Sequence, residues 1–101
     1  MAIMAIEVDP AGVMPRAILK AADFRDARVL EIGAGDGRLT FQYSAEPRSV
    51  VGIDTKEPDI RAASQCPSVE FRRDVRFLCA SATALPFSAE RFGIVLLASS
   101  L

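Results

Sequence analysis

Three glycines at alternate positions, Gly33, Gly35 and Gly37, form the stretch of this chain whose residue types and spacing could hold a ligand. Glycine admits positive φ and lets a ligand lie against bare backbone. Glu31 precedes the triplet and Asp36 lies inside it. Asp54 follows about 20 residues after Gly33, and a carboxylate there can accept hydrogen bonds from both hydroxyls of a ribose. Its other role would be to cap the next helix. Glu31 falls within an apolar run, where a carboxylate is costly unless paired. It either bonds the backbone of the glycine loop, or orients that loop and meets a cationic part of a ligand. The charge of Asp36 would repel a phosphate, so a zwitterionic or cationic ligand suits the loop better.

Composition removes other chemistries. The chain has no histidine, which takes away the usual general base and the commonest metal ligand. Neither a Ser-His-Asp triad nor a zinc site can be built, and no metal is expected. Two cysteines, Cys66 and Cys79, are too few for a disulfide framework and fit a reducing cytoplasm. Cys79, in an apolar run, is expected to pack as a small hydrophobe; Cys66, before Pro67, is expected in a loop. Twelve basic and 13 acidic residues leave a net charge of −1, which favours neither nucleic acid nor an anionic membrane. Arg72, Arg73 and Arg76 read as a solvated cluster. Met1–Ile6 is apolar but too short for a signal peptide or a membrane span.

The elements that must position the site follow from periodicity. With 101 residues, half of them hydrophobic, the chain has material for a single domain, 1–101, with its own core. Residues 1–13 read as a partly irregular lead-in broken by Pro10 and Gly12. Pro15 opens a helix running to about Phe24, and Arg25-Asp26-Ala27 is a tight polar connection. Val29, Leu30 and Ile32 make a buried parallel strand, followed by the glycine loop and a helix from Arg38 to Tyr43, with Leu39 and Tyr43 on one face. A second strand covers Ser49–Asp54. Thr55 is placed to cap the next helix, with Pro58 in its first turn and Ile60, Ala63 and Ser64 facing inward. Val69–Phe71 begins an extended segment, Val75–Ala80 is the third strand, and Phe92–Ala98 the fourth. Strands alternating with helices imply right-handed crossovers and a parallel sheet. Ligands then sit at the carboxyl ends of the strands, where Gly33–Gly37, Asp54, Ser81–Ala82 and Ala98–Ser100 converge.

The dinucleotide-binding fingerprint needs a third glycine at position 38, where the chain has Arg38. The pattern present, Glu31-x-Gly33-x-Gly35-x-Gly37, resembles the first motif of the class I S-adenosylmethionine-dependent methyltransferases. Val50–Asp54 resembles their second motif with its ribose-binding acid. Ala80–Phe87, Ala-Ser-Ala-Thr-Ala-Leu-Pro-Phe, is similar to their Gly-Asp-Ala-x-x-Leu-Pro-Phe segment, and Phe92–Leu101 to their fourth strand. The resemblance implies a Rossmann-like α/β fold, about four strands of a seven-stranded sheet. It implies S-adenosylmethionine as the methyl donor and an unknown methyl acceptor, with small molecules among the candidates. It assigns cofactor binding to Glu31, Gly33, Gly35, Gly37, Asp54, Thr55, Ser81, Ala82 and Ser99. Ser81 stands where the family has an acid that holds the adenine amino group; serine accepts a hydrogen bond without bringing charge. No catalytic side chain is assigned.

A sheet that stops at the fourth strand leaves that strand as a bare apolar edge, open to self-association or to a partner. Two other functions compete with methyl transfer. One is a non-catalytic half-domain acting through its open edge. The other is a nicotinamide-dependent oxidoreductase, against which Arg38 and Asp36 both count.

Overall fold

The computed structural model of the protein describes residues 2–8, 23–66 and 74–100. Its frame is a sheet of parallel strands: β1 Ala2–Val8, β2 Arg28–Ile32, β3 Ser49–Asp54, β4 Val75–Cys79 and β5 Ile94–Ser100, in the order β1-β5-β2-β3-β4. Two helices follow β2 and β3, α1 Thr40–Tyr43 and α2 Glu57–Gln65. The α/β reading therefore holds, and β2 to β5 are the strands expected.

Alternation along each strand divides the core into two layers. On one face Val29, Val50, Val75, Phe77, Ile94 and Leu96 pack with Leu39 and Tyr43 and with Ile60 and Ala63 of α2. On the other, Leu30, Ile53 and Val95 pack under Phe92, with Leu85 and Phe87 from the loop before β5. Leu30 and Ile53 are fully buried, each worth about 1.5–3 kcal/mol in removed apolar surface. Gly52 makes room on the first face, where an added Cβ would lie 2.8 Å from the Phe77 ring and 2.9 Å from Ala34.

Several expectations are corrected. Ala2–Val8 is a strand, where an irregular lead-in was expected. It pairs with β5 from Ala2↔Ile94 to Val8↔Ser100, so β5 is not the bare edge. The physical reason is that β5 carries a continuous apolar run whose open backbone groups favour any strand able to complete them. The helix expected over Arg38–Tyr43 is shorter, since residues 38 and 39 are turns, and Leu39 and Tyr43 pack in the same core layer, in keeping with the shared face expected of them. Thr55 does not cap α2. The N-cap is Lys56, with no side-chain cap, and Pro58 does lie in the first turn. Ser64 is exposed rather than facing inward. Cys79 is exposed at the end of β4, where its Sγ donates to the Thr55 carbonyl at 3.6 Å. The predicted helix from Pro15 lies outside the described residues up to residue 22, and so do Val69–Phe71, Arg72 and Arg73. Arg76 is exposed as predicted.

Candidate functional site

Gly33 ends β2 at φ 85°, and its N–H and that of Ala34 both donate to the Ile53 carbonyl, at 2.9 and 3.0 Å. This shared acceptor fixes the start of the loop to the end of β3. A Cβ at Gly33 would come within 2.4 Å of the Ala98 carbonyl oxygen, so no larger residue fits between β2 and β5. Gly35 differs: it has φ 56°, yet nothing lies within 4 Å of where a Cβ would be. Its bare backbone borders open space, and its N–H donates to Asp54 Oδ2 at 2.9 Å.

Asp54 holds the site together. It stands at the carboxyl end of β3, half-buried, and its second oxygen, Oδ1, accepts the Lys56 N–H at 3.0 Å. Each oxygen thus takes one backbone N–H, and each keeps a further lone pair. The capping expectation for Asp54 is not met: α2 has no side-chain cap, and the bond to the Lys56 N–H closes a local turn before the helix. Beside Asp54 opens a cleft of about 220 Å³. Ile32, Gly33, Ile53, Thr55, Ala80 and Ala82 line it with Asp54. Ser81 is half-buried between the two alanines. Its Oγ lies 2.9 Å from Thr83 Oγ1 and accepts the Thr83 N–H at 3.2 Å.

Glu31 lies beneath the loop, away from that cleft. It is fully buried. Its Oε1 accepts hydroxyl hydrogen bonds from Tyr43 at 2.5 Å and from Thr40 at 3.0 Å. It bonds side chains of α1, not the backbone of the loop as one reading expected. Its Oε2 is buried without a partner among the described residues. Burial pushes the Glu31 carboxyl up to about 7, against the opposing pull of the Tyr43 and Thr40 hydrogen bonds. Burial, and then the neighbouring Glu31, raises the Tyr43 hydroxyl well above its ordinary value, so Tyr43 remains the donor of the pair. The Tyr43 ring stacks on Phe24, centroids 4.8 Å apart.

Of the residues expected at the site, Gly33, Asp54, Thr55 and Ala82 line this cleft, Gly35 is tied to it through Asp54, and Ser81 is not among its lining residues. Gly37 is buried against Phe41 and Phe77, and Ser99 lies in β5 opposite Glu7. Asp36 is paired with Arg38, Nε to Oδ2 at 3.0 Å. Its charge is compensated, which weakens the argument from Asp36 against a phosphate ligand. Sequence reasoning missed Ile32, Ile53 and Ala80 as cleft walls, and missed Thr40 and Tyr43 as partners of Glu31. Gly52 inside β3 marks close approach to Phe77 and Ala34 in the other core layer, and signals neither. Among the described residues no cluster of three or more His, Cys, Asp or Glu could hold a metal, and no helix is long and apolar enough to cross a membrane.

Residues 29–101 match the family described as a methyltransferase domain. The chain is 32% identical over 79 residues to an uncharacterized methyltransferase, YcgJ, of Bacillus subtilis (strain 168), covering 77% of this chain and 31% of YcgJ. Superposed on the crystal structure of YcgJ it has a TM-score of 0.73 at 30% identity, covering 81% of this chain and 36% of that one. Two further likenesses show the fold. A SAM-dependent methyltransferase from Aquifex aeolicus has a TM-score of 0.71 at 20% identity, over 82% of this chain and 46% of that chain. Phosphoethanolamine N-methyltransferase 1 of Haemonchus contortus, solved with phosphoethanolamine and S-adenosylhomocysteine, has a TM-score of 0.69 at 22% identity, over 79% and 17%. The chain spans about a third of the length of the curated relative it matches.

Proposed function

The chain belongs to the methyltransferase domain family, and from that premise we propose that it is the donor-binding part of an S-adenosylmethionine-dependent methyltransferase. The observation that carries the reading is the hydrogen bond from the Gly35 N–H to Asp54 Oδ2 at the mouth of the cleft. It joins a bare, open backbone segment to a carboxylate that keeps a free acceptor site on each oxygen. A nucleoside fits this arrangement. Its ribose hydroxyls would donate to Asp54, and its flat base would lie among Ile53, Thr55, Ala80 and Ala82. Gly33 and Gly35 would leave room for the amino-acid tail. S-adenosylmethionine supplies the methyl group on a sulfonium that is itself a good leaving group. Side chains therefore need only hold donor and acceptor in line and exclude water, which suits a chain without histidine.

Glu31, Gly37 and Ser99 support the site from its margins in this reading: Glu31 holds α1, Gly37 packs the loop down, and Ser99 lies in the strand that follows the Ala98 contact with Gly33. The partner is a methyl acceptor whose class the chain's own residues leave open. Both cysteines are free, which supports a reducing compartment, and we place the protein in the cytoplasm. Self-association through β5 would require β1 to leave that strand.

Calorimetric titration of the chain with S-adenosylmethionine and S-adenosylhomocysteine, with NAD as the control, tests the reading. Micromolar binding of both sulfur nucleosides, lost in Asp54→Ala, is expected. Preferential binding of NAD would make the chain a dinucleotide-binding module instead.

A further inference from the structure

Glu31 stands two residues before Gly33, and its partners Thr40 and Tyr43 follow Gly37 by three and six residues. The bonds from both hydroxyls to Oε1 tie the end of β2 to α1 and so close the glycine loop from behind. This tie runs through a titratable group that takes no part in the cleft itself. In the sheet Glu31 stands between Gly52 of β3 and Leu96 of β5. Tyr43 is the titratable group that α1 turns toward it. The charges of the loop, Asp36 and Arg38, pair with each other at the surface. β3, β4, β5 and α2 bring apolar side chains to this layer, and among the described residues no other charged side chain is buried.

The two states of the carboxyl place different demands on this tie. A neutral Glu31 can carry its hydrogen on Oε2 and leave Oε1 to the two hydroxyls, so that no charge is buried. An ionised Glu31 shares its charge with Oε2, which is buried and has no partner among the described residues. A buried carboxylate left part-paired is costly. Burial pushes this carboxyl up to about 7, so the two states exchange near neutral pH.

We propose that Glu31 is a positioning residue whose proton sets the affinity of the glycine loop for the methyl donor, an inference that rests on the donor-binding reading above. Neutral Glu31 holds α1 on β2 and keeps the loop in place. Ionised Glu31 gives its proton to solvent and draws water to Oε2. α1, bonded over the carboxyl, lifts to admit that water, and the loop loosens where its backbone borders the cleft.

The test is calorimetric titration of the whole chain with S-adenosylhomocysteine across neutral pH, with circular dichroism at each pH to confirm the fold. The dissociation constant is expected to rise about tenfold between about pH 6 and about pH 8. Glu31→Gln cannot ionise, and its affinity is expected to stay level over that range. Tyr43→Phe removes a hydrogen bond that favours the ionised carboxyl, so the fall in affinity is expected to move to higher pH. A role in packing alone would weaken each variant by one factor at every pH. Equal binding at both ends of the range by the folded, unaltered chain overturns the proposal and leaves the donor-binding reading standing. So does a pH dependence that persists in Glu31→Gln. If Glu31→Gln does not fold, Tyr43→Phe decides, and a fall in affinity left at its original pH overturns the proposal. Binding absent at every pH removes the donor-binding reading and this proposal with it.

Discussion

The Gly35 N–H and Asp54 Oδ2 lie 2.9 Å apart although 19 residues separate them in the chain. This contact makes the glycine loop and the end of β3 a single unit, so that under the proposed function ligand binding depends on loop order. Asp54→Asn keeps the shape but offers one oxygen where two N–H groups need acceptors. Ligand affinity is expected to fall about tenfold or more. The Gly35 amide should exchange its hydrogen faster in the free chain. Unchanged protection at Gly35 would show that the loop is held by the Ile53 carbonyl alone.

The two glycines at the end of β2 predict opposite outcomes for one substitution. Gly33→Ala puts a methyl against the Ala98 carbonyl at positive φ, so β2 and β5 must separate, at a cost of about 3 kcal/mol or more. Gly35→Ala meets open space and bears only the conformational strain, about 1–2 kcal/mol. Its methyl stands where the donor would lie. Urea denaturation should therefore single out Gly33→Ala, while binding should be lost in Gly35→Ala under conditions where it remains folded.

Glu31 predicts how stability varies with pH. Its carboxyl is pushed from an ordinary 4.5 up to about 7 in the folded chain. Between those values the folded state holds a proton that the unfolded state releases, so stability is greatest below the lower value and falls as pH rises toward 7. The change from this group is on the order of 3 kcal/mol. Glu31→Gln should flatten the profile across that window, measured as urea midpoints at several pH values. A profile of Glu31→Gln that still falls as steeply would assign the effect to other groups.

Tyr43→Phe isolates one hydrogen bond. The ring and its stacking on Phe24 are kept, and only the donor to Glu31 Oε1 is lost. A loss of about 1–3 kcal/mol is expected at neutral pH. The loss should shrink under acid, because neutral Glu31 depends less on the donor. A uniform loss at all pH values would mean that the hydroxyl stabilises the neutral and the ionised carboxyl alike.

Much of the site was readable before the fold was known, for a physical reason: β2, the glycine loop and β3 are consecutive in the chain, one crossover apart. Gly33, Gly35 and Asp54 announce themselves by spacing, and the strand ends gather them. What escaped depends on distant partners. Ala2–Val8 becomes a strand only because β5 lies beside it. Glu31 was recognised as a buried carboxylate in need of a partner, but nothing local could show that α1 would supply two hydroxyls to one of its oxygens. Thr55 looked like a cap by residue type. Asp54, the residue before it, reaches the Lys56 N–H instead.

The pairing of β1 with β5 also sets an order of events in time. In a chain growing from its amino end, β1 is made before β2, β3 and β4, yet its neighbour in the sheet, β5, is made after them. β2, β3 and β4 can assemble in sequence, each beside its predecessor, whereas β5 must enter between β1 and β2. Contacts spanning so much of the chain slow folding. The Gly33–Ala98 contact is complete only when β5 arrives. The wall that Ala98 sets against Gly33 is thus in place only after β5 has joined β2, and β1 waits for β5 while the three strands between them are made.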